Sequence, residues 1–287
     1  MFVVVLLSKE FHNHSVLELL RNLPDMTWTP GLPARFKGKT DIEFRNALQP
    51  FIQLQPSIQK TRLVGVAPDE FSWLKVKPNC LKVRDQDQCG SCWAFAAVGA
   101  FSDNLCIHQN DMSRVTYSEQ FMVSCDTSSS GCGGTYDLST PQKFLKKTGV
   151  PTDACVSYKS GPTNITGKCP NSCDDGSVMK LFKSVTFDDV CTTEESIKIA
   201  ITQGSVQTGF TVYNDFRYYM MGVYQHRFGP VEGSHAVVFV GYGHDGLNKY
   251  WLVRNSWGES WGENGYFRIL RGVNECDIEN ICFLSKV

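Results

Sequence analysis

Apolar positions fall into three different textures along the chain. Val16, Leu17, Leu19 and Leu20 recur at helical spacing, and a second amphipathic run covers Ile42 to Leu48, with Pro30-Gly31 and Pro33 punctuating the stretch between them. From Cys92 to about His108 the run Trp-Ala-Phe-Ala-Ala-Val-Gly-Ala-Phe is rich in helix formers and apolar enough to predict a buried helix. A loop-rich, cysteine-rich stretch follows from Asp126 to Gly176, broken by one predicted helix near Pro141 to Lys147. Beyond it, Ser205 to Tyr213, His235 to Tyr242, Lys249 to Asn255 and Gly265 to Leu270 are rich in Val, Phe, Tyr and Ile and separated by Gly and Asn turns, so they read as strands. The pattern predicts a helical first half, a sheet or barrel in the second, and an N-terminal leader that covers something.

The 12 cysteines all lie between Cys80 and Cys282. That count is high for a reducing compartment, where disulfide frameworks are rare, and points to an oxidising one. The cysteine-free stretch ahead of Cys80 reads as a separate functional unit. The opening Met1 to Leu7 is apolar but short and lacks a basic lead-in; it reads as a signal remnant, with a short buried strand or an incomplete gene start as the alternatives. No window of about 18 apolar residues suggests a membrane span. A formal charge of -1 gives no basic face for nucleic acid. Asn13-His14-Ser15 and Asn164-Ile165-Thr166 match the glycosylation sequon.

Candidate chemistry centres on Gln86-Asp87-Gln88-Cys89-Gly90-Ser91-Cys92-Trp93-Ala94-Phe95. Cys92 opens the predicted helix, where the positive end of the helix dipole and a neighbouring imidazolium stabilise a thiolate over a thiol. A thiolate is the nucleophile that covalent peptide cleavage needs. On cysteine count alone Cys92 reads more readily as one more half-cystine, a reading that the surrounding residues reverse. A zinc site is the rival for clustered cysteines, but only Cys89-Gly-Ser-Cys92 has close spacing and no second pair matches it.

These residues resemble the papain-like cysteine proteases, whose signature Cys-Gly-Ser/Ala-Cys-Trp/Tyr has His and Asn about 130 to 150 residues downstream. His235 in Gly233-Ser-His-Ala-Val-Val follows Cys92 at that separation, and Asn255 in Tyr250-Trp-Leu-Val-Arg-Asn-Ser-Trp-Gly comes a little further on. The resemblance implies Cys92 as nucleophile, His235 as its proton-transfer partner, Asn255 as the acceptor that orients the imidazole, and Gln86 as an oxyanion donor with the Cys92 amide. Bland alternatives are a solvated loop glutamine for Gln86 and an ordinary core tryptophan for Trp257. Within the family the chain is similar to cathepsin B and its protozoan relatives, through Leu105-Cys-Ile-His108, Ser118 to Cys125, Val212 to Phe216, Gly222 to His226 and Ile269 to Gly272. Thr27-Trp28 followed by Gly31 is similar to that group's short inhibitory propeptide.

The resemblance implies an α+β, papain-like two-lobed fold with a helical left lobe and an antiparallel β-barrel right lobe. Residues 1–66 are then signal remnant plus inhibitory propeptide, and 67–287 the peptidase domain, helical mainly over 67–175 and β over 176–287. Implied disulfides are Cys80 with Cys106, Cys89 with Cys132, Cys125 with Cys169, and Cys155 with Cys173; Cys191 with Cys282 is a further guess that leaves Cys276 unpaired. Implied substrate-binding residues are Gly134, Thr135, Ser234, Trp257 and Ile281. Three departures matter. The Cys155 to Cys173 stretch is short and lacks the paired histidines of an occluding loop, which argues against trimming dipeptides from a substrate's C-terminus. Gly131-Cys-Gly-Gly-Thr135 puts Thr135 where the family has glycine, narrowing the cleft. Ile281 stands where cathepsin B has an acidic residue, so apolar side chains are expected at the second position before the cut, since an apolar floor cannot pair a buried cation. The expected protein is an endopeptidase zymogen with no metal or organic cofactor, acting as a monomer on peptide and protein substrates. Its expected setting is the secretory pathway, in a lysosome- or vacuole-like compartment or outside the cell, with cystatin-like inhibitors as partners. A silent binding protein or a transpeptidase on the same chemistry are the alternatives.

Overall fold

The computed structural model describes residues 15–50, 60–109 and 114–287. The first amphipathic pattern forms α1 over residues 15–21, burying Val16, Leu17 and Leu20 and leaving Leu19 outside. Next come β1 (Trp28–Pro30) and α2 (Asp41–Asn46). A capping box starts α2: the Glu43 amide donates to the Thr40 hydroxyl at 3.1 Å and the Thr40 amide donates to the Glu43 carboxylate at 2.7 Å. Past the leader lie β2 (Phe71–Ser72), α3 (Trp73–Val76), α4 (Cys92–His108), α5 (Glu119–Cys125), α6 (Ser139–Lys147) and α7 (Ser160–Thr163). The second half holds β3 (Thr186–Asp189), α8 (Glu194–Gln203), β4 (Val206–Tyr213), β5 (Tyr219–Tyr224), β6 (Val231–Asp245), β7 (Asn248–Arg254), β8 (Tyr266–Leu270) and β9 (Cys282–Lys286).

The strands form one sheet in the order β1-β5-β8-β7-β6-β4-β9-β3, with β2 added to β6. At its centre β6 is buried on both faces. Val237 and Phe239 join the core that also receives Trp28, Phe36 and Phe44 of the leader, while Ala236, Val238 and Val240 join the core built on α4. Two buried faces explain why Ala-Val-Val-Phe-Val reads as a continuous apolar run instead of an alternating one.

The expected antiparallel barrel is refined in two respects. β5 pairs with β8 in parallel, and among the described residues no ladder joins β3 back to β1, so the sheet is open. Period-two patterning identifies strands but carries no information on pairing direction, and the β5 edge is taken by the leader's own β1. Five disulfides, Cys80–Cys106, Cys89–Cys132, Cys125–Cys169, Cys155–Cys173 and Cys191–Cys282, cross-link residues beyond the leader. Cys92 and Cys276 are free.

Candidate active site

Cys92 is the first residue of α4, fully buried, at the end of the helix where backbone N–H groups point outward. His235 sits mid-strand on β6 opposite Phe210 of β4, its ring 6.1 Å from that of Phe210 and 4.6 Å from that of Trp257. Asn255 follows the last residue of β7. Its side-chain oxygen accepts the Ser256 amide at 2.7 Å and lies 2.7 Å from His235 Nε2. Because the Ser256 N–H identifies that atom as the oxygen, the imidazole must donate from Nε2, which leaves Nδ1 free to take a proton. Nδ1 is buried and without a hydrogen-bond partner.

Burial pushes the Cys92 thiol up to about 12, against hydrogen bonds from the backbone of Ala236, Trp93 and Gln49. Burial also pulls His235 down to about 4, against the Asn255 hydrogen bond. Both groups are therefore neutral in this covered state, because low dielectric disfavours the charged form of each.

Gln86 is buried beside them, and its side-chain nitrogen donates to the carbonyl of Ala47 at 3.0 Å and of Cys89 at 2.8 Å. Its side-chain oxygen accepts the Ser256 hydroxyl at 2.6 Å, and its backbone amide donates to the Ser256 carbonyl at 2.9 Å. Tyr158 donates its hydroxyl to the Gln86 carbonyl at 2.9 Å and shares a 2.8 Å bond with Ser91, the neighbour of Cys92. Sequence reading missed Ser256 and Tyr158. The position of Ser256 next to Asn255 was the only signal for it, and Tyr158 offered none.

The leader occupies the cleft. Gln49 and Ser234 exchange backbone hydrogen bonds at 3.0 and 3.1 Å, and the Thr135 amide donates to the Gln49 side chain at 3.5 Å. Gly134 has φ +91°, and a Cβ there would stand 2.6 Å from that of Gln49, so only glycine lets a chain approach this wall. Phe36 and Phe44 stack edge-on against Trp257 at 5.2 and 5.9 Å. Gly134, Thr135, Ser234 and Trp257 thus surround the leader. Ile281 is buried in the apolar cluster that also holds Ala236, the residue after His235. The Thr135 side chain is turned away, toward Ser129 at 3.2 Å and the Asp137 carbonyl at 3.3 Å. Of the sequons, Asn13 lies outside the described residues, whereas Asn164 is exposed at the end of α7. Among the described residues no group of three or more His, Cys, Asp or Glu is gathered for a metal ion, and no helix is long and apolar enough to cross a membrane.

Comparison with known proteins gives the family. The sequence profile described as "Papain family cysteine protease" matches residues 67–285. The cathepsin B-like protease CP3 of Giardia intestinalis is 45% identical, over 88% of this chain and 87% of its own. Cathepsin B-like cysteine proteinase 5 of Caenorhabditis elegans is 34% identical over 90% of this chain and 86% of its own. Among solved structures, procathepsin B S9 from Trypanosoma congolense superimposes with a TM-score of 0.85 at 27% identity, covering 95% of this chain and 97% of that one. The proform of the ragweed pollen cysteine protease Amb a 11 gives 0.80 at 27% identity, covering 96% and 86%. With a family match over most of its length and relatives of 34% and 45% identity that align along nearly the whole chain, the protein belongs to the papain family of cysteine proteases, among its cathepsin B-like members.

Proposed function

We propose that the protein is the zymogen of an endopeptidase that works through a Cys92–His235–Asn255 triad with Gln86 in the oxyanion hole. The observation that carries this reading is the Gln86 amide holding the Ala47 carbonyl beside the buried Cys92, with His235 oriented by Asn255. The Gln86 amide already holds a peptide carbonyl, which supports its assignment as an oxyanion donor.

Once the leader departs, His235 takes the Cys92 proton at Nδ1 and the thiolate attacks the scissile carbonyl carbon. Gln86 and the Cys92 amide hold the oxyanion. His235 returns its proton to the leaving amine as the carbon–nitrogen bond breaks, leaving a thioester. Water, deprotonated by His235, then releases the acid and regenerates the thiol. Asn255 keeps the imidazole in register, and Trp257 shields their hydrogen bond.

Latency fits the same geometry. With residues 47–49 over the nucleophile, substrate is excluded and both catalytic groups stay neutral. Val64, Gly65 and Val66 are exposed while Ala67 is buried and donates its amide to Glu195, which favours removal of the leader near residue 66. The short Cys155 to Cys173 stretch favours endopeptidase cleavage over dipeptide trimming, and Ile281 favours apolar side chains two residues before the cut. Twelve cysteines favour a vacuolar or secreted setting, where cystatin-like inhibitors would meet a monomeric enzyme.

The test is hydrolysis of a peptidyl-coumarylamide by full-length and leader-free protein, each beside Cys92→Ala. Turnover confined to leader-free protein with Cys92 is expected. A folded, leader-free protein that hydrolyses nothing overturns the reading in favour of a silent binding protein; ligated products favour a transpeptidase.

A further inference from the structure

Two carboxylates flank Gln86 in the chain, and one guanidinium meets both. Arg35 Nη1 lies 2.9 Å from Asp85 Oδ2 and 3.7 Å from Asp87 Oδ1, while Nη2 donates to the Asp87 carbonyl at 2.9 Å. The Arg35 side chain is only 11% exposed, while the Asp85 and Asp87 side chains keep 44% and 33% of their surface open to water, so an arginine is held here in a charge-assisted fork that solvent also reaches. The receiving turn is built: Asp85 Oδ1 accepts the Asp87 amide at 2.8 Å, Asp87 holds φ +53°, and the Asp85 backbone bridges to Trp257. The neighbouring cation of the body, Arg84, is committed elsewhere, to Asp153 and Glu119. Lys39, whose charge also acts on Asp85, belongs to the same leader as Arg35. When the leader departs, both cations leave with it.

The path of the leader gives the position of this pocket along the cleft. Phe36 and Phe44 lie on Trp257, Ala47 at Gln86, and Gln49 at Ser234 and Gly134. The Gly134–Thr135 wall, a substrate-binding stretch by the family resemblance, is assigned to the acyl side of the substrate. The opposite, Trp257 side, where Arg35 sits, then takes the leaving segment.

We propose that Asp85 and Asp87 form a cation-binding subsite for the leaving segment, selecting peptides with Arg or Lys within the first two residues after the cut, and that Arg35 fills it in the zymogen as an internal stand-in. The inference rests on the cysteine-protease reading and adds to it a substrate class. Arginine suits the subsite better than lysine, because the pocket offers two carboxylates and a carbonyl to a planar fork of donors.

The experiment uses leader-free enzyme and internally quenched peptides identical up to the cut, with Arg, Ala or Glu at the first two leaving positions. Burial pushes the Asp85 carboxyl up and Arg35 pulls it back, so rates are read at about pH 6.5, well above the ordinary carboxylate range. The expected kcat/KM for Arg exceeds that for Glu by about tenfold, and the ratio shrinks as salt rises from about 20 to 300 mM. Asp87→Asn is expected to lower that ratio about threefold, and Asp87→Lys to invert it, as one pocket charge is removed or reversed. Equal rates for the three peptides overturn the proposal, as does a ratio that both variants leave unchanged. If neither variant folds, a wild-type ratio indifferent to salt overturns it instead. A coumarylamide with no residue after the cut separates the two readings: its hydrolysis with no peptide preference defeats the subsite alone, whereas no hydrolysis defeats the protease reading.

Discussion

The leader and the body it covers are held by different means. The body carries five disulfides and a core of its own built on α4, while the second sheet core is shared with the leader through Trp28, Phe36 and Phe44. The leader has no disulfide. It is attached by the short β1–β5 ladder, by Trp28 packed on Tyr219 and Tyr224, by Phe36 and Phe44 on Trp257, and by ion pairs such as Arg35–Asp85, Arg45–Glu232 and Asp41–Arg217. Each attachment uses a surface of the body that the body's own strands and side chains build. The contrast teaches that one segment can be specific and still removable: many modest contacts, no disulfide, and the proposed catalytic residues themselves among the surfaces it uses.

Substitutions can break that contrast in graded steps. Gln86→Ala is expected to act on both sides, lowering kcat of the leader-free enzyme about 10²-fold, as loss of one oxyanion donor does, and speeding leader loss because Ala47 loses its donor. Unchanged kcat with faster leader loss would make Gln86 a latch only. Trp28→Ala removes a buried aromatic whose loss costs about 3 kcal/mol, so Cys92 in the uncut chain should react with a thiol reagent about 10²-fold faster. An unchanged labelling rate would mean that the β1 attachment is not what keeps the cleft covered.

Smaller effects sharpen the same picture. Thr40→Ala breaks the α2 capping box at a cost of about 1 kcal/mol, so about a fivefold gain in Cys92 labelling is expected. That box also gives a pH sign. The Thr40 amide and the Lys39 side chain hold the Glu43 carboxyl below its ordinary 4.5, against burial. A depressed carboxylate stabilises above its unfolded value, and its contribution is lost as pH falls through the folded one. Leader release should therefore speed up below about pH 4.5, less so in Glu43→Gln; an identical acid profile in that variant removes Glu43 from the release step. Arg45→Ala, which breaks a pair whose arginine is well exposed, is expected to shift labelling by about twofold or less.

Legibility in the sequence followed the range of the information. α4 and the placing of Cys92 at its start depend on residues adjacent in the chain, and they were readable. β4, β6, β7 and β8 were nearly located by their apolar texture, but β6 extends past its buried centre to Val231 at one end and Asp245 at the other, into exposed ends that texture does not mark. β5 escaped because Tyr-Met-Met-Gly-Val-Tyr shows no clean alternation, and α8 because Thr193, the cap that starts it, was not weighed as one. The roles proposed for His235 and Asn255 come from spacing within a recognised family, while no local rule brings a side chain in the middle of β6 to one beyond the end of β7. The outward rotation of Thr135, the Ser256 bond to Gln86 and the Arg35 pocket depend on side-chain directions set by distant contacts, and pattern reading has no access to those.

The central claim is that one cysteine is held neutral under the leader and becomes a reactive thiolate when uncovered. The most direct measurement is the rate of iodoacetamide addition to Cys92 from about pH 5 to 9, read by peptide mass spectrometry in full-length and leader-free protein. The account predicts almost no adduct in the full-length chain across this range, and in the leader-free protein rapid addition already near pH 6, below the ordinary thiol range of about 8.5. Equal rates in both forms, or addition in the leader-free protein only above that ordinary range, would contradict it.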